Sequence, residues 1–297
     1  MGAPRRMTDD PFIANRSLLF TVAYQMLGSR ADAEDVLQEA WLRWADVDAA
    51  RVRDPRRYLV RVVTRQALNL LRTVSRRREQ YIGEWLPEPV LTSPDVAEDA
   101  ELADGVSIAM LTLLETLRPT ERAVFVLREV FDLSYSEIAE ATGKLEPTVR
   151  QIARRARDHV AARRPRTKVS PSEQRAVVER LLDAMRTGQV QELMDLMAPD
   201  VVLIADSGGL VGAALAPVHG AEAVARLLSR ASQLPSRLRA TAVWLNGAAA
   251  GRIEFDGRLG ATVSLVVADA QIARIYLMRN PRKLARLGET TPLARLP

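Results

Sequence analysis

The chain has 297 residues, a formal net charge of +5 and 47% hydrophobic residues, a composition typical of a globular protein of about two or three domains. It contains no cysteine and only two histidines, which excludes disulfides and thiolate metal sites and leaves almost nothing for a histidine triad. No stretch approaches the roughly 18 apolar residues of a membrane span, and the first residues lack the apolar core of a secretory signal. We expect a cytoplasmic protein with no metal, cofactor or membrane partner.

Residues 9–80 predict helices, because they show few helix breakers and no strand-like alternation. Within them, Asp32–Trp41 has the pattern of an acidic amphipathic helix. Acidic residues at a helix start are favoured by the helix dipole, but this helix would repel DNA. We therefore expect its partner to be a basic protein surface.

The helical pattern at residues 58–74 carries a stripe of arginines. Its apolar residues recur at spacings of three and four, which predicts one buried face. Arg57, Arg61, Arg65 and Arg72 recur on the other side without paired acids. Like charges four residues apart slightly destabilise an isolated helix, and an anionic partner would offset that repulsion. The stripe therefore favours nucleic acid over a merely solvated basic face.

A linker is predicted at residues 81–104, where the run W-L-P-E-P at 85–89 precedes a cluster of acidic residues. Prolines at this density disfavour helix and keep the chain extended. Helical patterns return at residues 105–163 and end in a basic segment.

A helix-turn-helix is predicted to begin at Tyr135. The fifth residue of the motif is Ala139, which is small where the two helices approach closely. The ninth is Gly143, which tolerates the positive φ of the turn. The fifteenth and eighteenth residues, Val149 and Ile152, are apolar and would seal the two helices together.

The second helix of this motif has Pro147 in its first turn, while Leu145 stands where a Ser or Thr cap is usual. Arginine reads guanine and glutamine reads adenine in the major groove. The outer face therefore predicts DNA binding rather than a solvated helical hairpin. That face consists of Thr148, Arg150, Gln151, Arg154, Arg155 and Arg157.

After Pro171 the pattern changes to that of an α+β domain. The dipeptides at 246–247 and 256–257, Asn-Gly and Asp-Gly, predict hairpin turns. Helices are expected at 172–187, 189–198 and 221–233, and strands at Val201–Ala205, Leu238–Leu245, Gly251–Phe255, Ala261–Ala268 and Ile272–Met278.

The order of these segments resembles the extracytoplasmic-function sigma factors over residues 11–165. Asp32–Trp44 is similar to the region that grips the clamp of core RNA polymerase, in the form D-A-E-D-x-x-Q-E-x-W. Asp54–Arg72 is similar to the segment that melts and reads the −10 promoter element, and Leu117–Arg157 is similar to the −35 reader. A repressor would have no reason to carry the first two motifs.

The resemblance implies two partners, core RNA polymerase (through its clamp and flap regions) and promoter DNA. Asn69 stands where many relatives have Asp. The implied site residues are Asp32, Asp35, Gln38, Glu39 and Trp41 for the polymerase, Arg57, Tyr58, Arg61, Arg65, Asn69 and Arg72 for the −10 element, and the six residues of the helix-turn-helix face for the −35 element.

The linker and the C-terminal part narrow the resemblance to the SigJ-type subgroup, whose C-terminal extension resembles SnoaL and NTF2-like domains. Trp85–Leu91 is similar to the linker of that subgroup, and Asn280–Leu284 also matches it. Asp206–Leu210 is similar to its D-G-G-G-K loop, with Ser207 and Leu210 in place of the first glycine and the lysine. The resemblance implies that the extension takes over the role of a separate anti-sigma protein. We expect a contact between the Asp206–Leu210 loop, the Trp85–Leu91 linker and the N-terminal helices. Its predicted regulatory residues are Trp85, Pro87, Asp206, Gly208 and Gly209.

A C-terminal domain of this kind can enclose a pocket for an unknown small ligand, and some relatives of the fold are enzymes that use a carboxylate and a histidine. Fold alone does not imply activity. A lone histidine beside proline and glycine is more often a loop residue than a base, so we expect no enzyme here. The candidates for such a site are Asp206, His219, Trp244, Arg252, Glu254 and Tyr276.

These features predict a multidomain protein in which two all-α sigma domains, sigma-2 and the helix-turn-helix sigma-4, precede an α+β NTF2/SnoaL-like cone. It would direct promoter recognition and transcription initiation, with the C-terminal domain as an intrachain regulator. One alternative is a one-component regulator with a ligand-binding C-terminal domain, and another is an isomerase or cyclase fused to a DNA-binding module. The expected domains are 9–80, 105–165 and 171–288, with the linker at 81–104.

Overall fold

A computed structural model describes residues 10–78, 80–164, 169–209, 214–233 and 237–295. The chain forms two compact units. The first comprises residues up to Glu79, Leu113–Arg163 and the segment from Pro292, and the second comprises Gln80–Thr112 with Arg164–Thr291. The segment predicted to be a linker therefore folds with the C-terminal domain.

The helices begin at local signals that the sequence contains. Ser29 caps the third helix by accepting a hydrogen bond from the backbone N–H of Asp32, and Pro55 opens the fourth. None of the helices in the described ranges is long and apolar enough to cross a membrane. They are α1 (Pro11–Ala14), α2 (Arg16–Leu27), α3 (Arg30–Ala45), α4 (Pro55–Arg78), α5 (Pro94–Glu98), α6 (Ala100–Val106), α7 (Ile108–Leu114), α8 (Pro119–Phe125), α9 (Tyr135–Thr142), α10 (Glu146–Ala161), α11 (Pro171–Thr187), α12 (Val190–Asp195), α13 (Ala221–Ser229) and α14 (Pro281–Leu284).

Helix α2 lies at the centre of the first unit. Every residue from Leu18 to Leu27 is buried, and α3 and α4 pack against this helix. The apolar stripe of α4 is buried as its spacing predicts, with Leu59, Val63 and Ala67 fully inaccessible. The stripe arginines Arg57, Arg61, Arg65 and Arg72 therefore lie on the opposite side of that helix.

The second unit is built on one mixed sheet with the strand order β2-β1-β6-β5-β4-β3. Strands β1 and β6 pair in parallel, and the other neighbours are antiparallel. The two predicted hairpin turns are present, and a third, at Asp269-Ala270, has positive φ without a glycine. The strands are β1 (Met197–Asp206), β2 (Val218–His219), β3 (Leu238–Leu245), β4 (Ala248–Phe255), β5 (Arg258–Ala268) and β6 (Gln271–Met278).

Alternate residues of each strand face two different layers. Leu203 and Ile275 point to the side covered by α11, α12 and α13, where the main hydrophobic core of this unit lies. Tyr276 and Met278 point to the other side, where Leu86 packs against them. The 80–112 segment is thus the second layer over the sheet.

The 80–112 segment is less extended than its prolines predict. Residues 84–90 have no regular structure and Leu91 bridges to Leu245, but α5 and α6 follow. Pro94 suits the first turn of α5, and Asp99 caps α6 by accepting a hydrogen bond from the N–H of Leu102. Local capping therefore overrides the general effect of proline in this stretch.

Candidate nucleic-acid interface and linker site

The helix-turn-helix consists of α9 and α10. Gly143 ends α9 with a φ of 67°, in the left-handed region that the tight turn requires. Ser134 and Glu137 form a capping box at the start of α9. Helix α10 begins without a side-chain cap, because Leu145 occupies the cap position and is exposed. The motif therefore has the predicted geometry, with its first helix better capped than its second.

On the outer face of α10, Arg150 and Arg157 form ion pairs with glutamates of the same unit. Arg150 donates to Glu146 at 2.6 Å and lies over the ring of Tyr135, 4.6 Å from its centroid. Arg157 donates to both carboxylate oxygens of Glu129, at 3.1 and 2.7 Å, and this hydrogen bonding raises its pKa. The other predicted residues of the face are exposed, namely Thr148, Gln151, Arg154 and Arg155.

The arginine stripe of α4 meets the acidic side of α9. Arg57 pairs with Glu137 at 2.7 Å, Arg61 pairs with Glu140, and Arg65 donates to the backbone carbonyl of Glu140 at 2.8 Å. The predicted −10 reader and the helix-turn-helix are therefore in contact within the first unit.

The other residues of the predicted −10 surface do not take part in that contact. Tyr58 stacks at a tilt on Trp44, with 5.8 Å between ring centroids, and the guanidinium of Arg61 lies 5.3 Å from the Tyr58 centroid. Asn69 and Arg72 lie farther along α4 and are exposed. They are accessible to a partner in this arrangement.

Helix α3 presents the acidic surface that the sequence predicts. Gln38 is exposed, whereas Asp32 is partly buried near the helix start. A groove of about 390 Å³ lies between α3 and α4, and Asp35 and Glu39 contribute to its α3 side. Trp41 packs edge-on against Phe12, with 5.1 Å between centroids. Leu42, on the same helix, is an exposed apolar residue that sequence reasoning did not select.

A buried ionic cluster joins the helices of the first unit. Arg122, which is 1% exposed, donates to the backbone carbonyl of Gln25 at 3.0 and 2.9 Å and pairs with Glu115. Arg78 also pairs with Glu115 and donates to the carbonyl of Leu27. Both carbonyls belong to the last turn of α2, where backbone acceptors lack partners within the helix. We call Arg78, Glu115 and Arg122 the buried joint.

Asp206 is the centre of the linker site in the second unit. Its buried carboxylate accepts hydrogen bonds from the Tyr81 hydroxyl at 2.6 Å and the Leu86 N–H at 2.9 Å, and pairs with the Lys283 ammonium at 2.7 Å. Burial, followed by the hydrogen bond to Asp206, raises the pKa of the Tyr81 phenol. One carboxylate thus holds two points of the 80–112 segment.

Lys283 is the residue of this site that sequence reasoning missed. Its ammonium also donates to the backbone carbonyl of Leu86, and it lies 4.0 Å from the ring centroid of Trp85 and 5.3 Å from that of Tyr81. The resemblance had directed attention to Leu210, which lies outside the described residues. A signal was present in Asn280–Leu284, since lysine is rare in this chain.

The remaining predicted residues of the linker site are Pro87 in the 80–112 segment and Gly208 and Gly209 in the loop that follows β1. Pro87 lines the small gap between the segment and the sheet, with a volume of about 10 Å³. Gly208 has a φ of 64°, and a Cβ there would lie 2.8 Å from the side chain of Asn280. Gly209 faces Ile82. The loop therefore needs its glycines for backbone conformation and close approach.

The candidates for catalysis do not converge. His219 pairs with Val202, four residues before Asp206 along β1, which separates the two by about 13 Å at roughly 3.3 Å per residue. Trp244 packs on the helix-covered side of the sheet, whereas Tyr276 faces the linker segment. Arg252 and Glu254 pair with each other at 2.9 Å on β4. Asp206 is occupied by its linker contacts, so the arrangement suits positioning rather than proton transfer.

Comparisons with known proteins agree with this architecture. Residues 12–77 match the family Sigma-70 region 2, and residues 107–160 match Sigma-70, region 4. The chain is 40% identical to the ECF RNA polymerase sigma factor SigJ of Mycobacterium tuberculosis over 221 residues, which are 73% of this chain and 70% of SigJ. It is 36% identical to the probable ECF sigma factor SigI of the same organism over 191 residues, 63% of this chain and 66% of SigI.

The crystal structure of Mycobacterium tuberculosis SigJ superposes with a TM-score of 0.73 at 32% identity, covering 93% of this chain and 98% of that one. This match confirms the predicted fold class, and the alternative of a one-component regulator with a ligand-binding C-terminal domain is not favoured. The chain therefore belongs to the extracytoplasmic-function sigma factors, the non-enzymatic initiation factors of RNA polymerase, and to the SigJ-type subgroup with a C-terminal NTF2-like domain.

Proposed function

We propose that this sigma factor is regulated within its own chain, by a C-terminal domain that holds the segment between its two promoter-reading domains. The observation that carries the proposal is the Asp206 carboxylate, which binds Tyr81 and the backbone of Leu86. A held linker fixes how far sigma-2 and sigma-4 can separate, and a released linker of over 30 residues does not.

In this proposal the exposed acidic side of α3, with Asp35, Gln38 and Glu39, binds a basic surface of the core polymerase clamp. The stripe and Asn69 on α4 bind the −10 element. On α10, Gln151 is exposed and has the chemistry to read a base edge.

The roles on α10 can be separated by substitution. We expect Arg150 and Arg154, with Gln151, to touch base edges, while the other arginines of α10 touch phosphates. Replacing a base-reading residue by Ala should cost about 1–3 kcal/mol and relax specificity at one position, whereas losing a phosphate contact should weaken binding to all sequences alike. Equal losses of affinity at every −35 sequence for R150A would contradict its base-reading role.

In vitro transcription with core polymerase tests the regulatory proposal. The full chain and a chain ending near Arg166 are compared on promoters whose −35 and −10 elements are separated by the native spacer or by one or two base pairs more. Each added base pair moves the elements apart by about 3.4 Å. We expect both proteins to use the same promoter, with altered output from the truncated one and a weaker dependence on spacer length.

A matched pair of full-length variants avoids the effects of truncation. D206N removes the charge that holds the linker, and D200N changes an exposed residue of the same strand. D206N should resemble the truncated chain and D200N should resemble the wild type. If the truncated chain and D206N both transcribe like the wild type at every spacer length, the C-terminal domain does not regulate through the linker.

A further inference from the structure

The promoter-reading helices of the first unit are too close together to read both elements at once. Elements at −10 and −35 lie about 85 Å apart along B-form DNA, at roughly 3.4 Å per base pair. In the first unit Arg61 pairs with Glu140, and the chain from Glu140 to Gln151 spans at most about 40 Å even when fully extended. The described arrangement is therefore a closed state of the sigma domains, which must open before both elements can be bound.

In the closed state, two carboxylates contact the arginines that are proposed to bind promoter phosphates. Helix α9 carries Glu137 and Glu140 and no basic residue. These carboxylates lie three residues apart on one side of α9, facing Arg57 and Arg61, which lie four residues apart on α4. Carboxylate and phosphate oxygens accept the same hydrogen bonds from a guanidinium. The two helices are thus complementary in both charge and spacing.

We infer that Glu137 and Glu140 act as an internal mimic of DNA phosphates, which covers the −10-reading arginines until DNA displaces it. The inference rests on the proposed function, because it requires that the stripe on α4 binds the −10 element. The side chains of Arg57 and Glu140 are about half exposed, so the contact is open to competition from DNA and to screening by salt. The buried joint also spans the two sigma domains, because Arg78 lies in sigma-2 while Glu115 and Arg122 lie in sigma-4, so opening must break it as well as the surface pairs.

Glu140 is the better residue for a test, since Glu137 also caps α9. We compare E140Q with E222Q, which removes an equal charge from an exposed ion pair on α13. Binding of a short single-stranded DNA oligonucleotide to the full-length protein is measured by fluorescence anisotropy at low ionic strength. An exposed ion pair contributes a factor of about two to five, so E140Q should bind the DNA about two- to fivefold more tightly, and E222Q should bind like the wild type.

Two arginine variants separate the inference from the proposed function. R72A removes an arginine of α4 that takes no part in the contact with α9, so it should weaken DNA binding outright. R61A loses a phosphate contact but also frees the helix from Glu140, so it should weaken binding less than R72A. In the R61A background, E140Q should have a much smaller effect than in the wild type.

The outcomes distinguish the two ideas. If R72A weakens DNA binding while E140Q leaves it unchanged, α4 binds DNA and the internal mimic is refuted. If none of these variants changes DNA affinity, the −10 role of α4 fails and the mimic fails with it.

A distance measurement provides a second test of opening. Because the chain has no cysteine, spin labels can be placed at two sites only, with R51C and D158C. We expect a single, narrow distance distribution in the free protein and a shift to longer distances with saturating oligonucleotide. An unchanged distance in the DNA-bound protein would overturn the inference, because it would show that DNA reaches α4 without opening.

Discussion

Each of the two units contains a contact between segments that are distant in the chain, and the two contacts differ in their access to water. In the first unit, α4 and α9 meet through arginine–glutamate pairs at the surface, such as Arg61 with Glu140. In the second, the linker is held by Asp206 and Lys283, whose side chains are 0% and 8% exposed. Another charged partner can reach and replace the exposed pairs of the first contact, but not the buried pair of the second.

Access to water determines which of the two contacts can respond to a charged partner. Exposed ion pairs contribute little to stability and are screened by salt, so DNA phosphates can replace them. A buried ion pair costs a large free energy when one partner is lost, so it stays formed until the surrounding structure moves. The proposed DNA-reading surface therefore has the labile contact, whereas the buried joint of the first unit and the linker site of the second are durable.

The largest effect is expected from E115A, which breaks the buried joint of the first unit. The variant leaves the guanidiniums of Arg78 and Arg122 buried without their carboxylate, at a cost of about 3–5 kcal/mol. The loss in the free energy of unfolding is measured by urea unfolding and, separately, by hydrogen exchange of the α2 amides. The control E34A removes an exposed pair with Arg30 and should cost less than about 0.5 kcal/mol. Equal losses of stability for both variants would show that water solvates the guanidiniums of Arg78 and Arg122 in place of the Glu115 carboxylate.

A smaller loss is expected from D206N in the second unit. Asn keeps an acceptor for the Leu86 N–H but removes the charge that faces Lys283, which should cost about 1.5–3 kcal/mol. We expect faster hydrogen exchange of the Leu86 amide in D206N and an unchanged rate in D200N. The double variant D206N/K283M should recover part of the loss, because it leaves no buried charge unpaired. If the double variant is no more stable than D206N, the charge of Lys283 is not the cause of the stability lost in D206N.

Local patterns predicted most of the secondary structure. The apolar spacing of α4, the glycine at 143 and the hairpin dipeptides each have a cause within a few residues, so the sequence alone determines them. The positions that were missed lack such a signal. Strand β2 has two residues, and the turn at Asp269-Ala270 uses an alanine with positive φ, which is rare.

The sites could be predicted only in part, because their partners come from distant parts of the chain. The arginines of α4 and α10 were found from periodicity and the Asp206 loop from resemblance. The pairing of α4 with Glu137 and Glu140 depends on how α9 packs, which no local pattern encodes. Lys283 meets Asp206 only because α14 follows β6 beside β1.

The smallest effects concern pH, and they act at opposite ends of the scale in the two units. Partial burial acts to raise the pKa of Glu137, but hydrogen bonds from Ser134 and the charge of Arg57 lower it overall. A lowered pKa in the folded state contributes stability above the unfolded value of 4.5, and this stability is lost as the pH falls through the folded value. The pKa of Tyr81 is raised, so its contribution is present below 10.0 and is lost as the pH rises through the folded value.

The variants E137Q and Y81F therefore serve as controls for each other. Gln can still cap α9, but it does not titrate, so E137Q should remove part of the acid dependence of unfolding and leave the alkaline limb unchanged. Y81F should reduce the alkaline dependence and leave the acid limb unchanged. Each effect should be about 1 kcal/mol, measured by urea unfolding across the pH range. If either variant altered both limbs equally, the two contacts would be coupled, and the contrast between a labile and a durable contact would not hold.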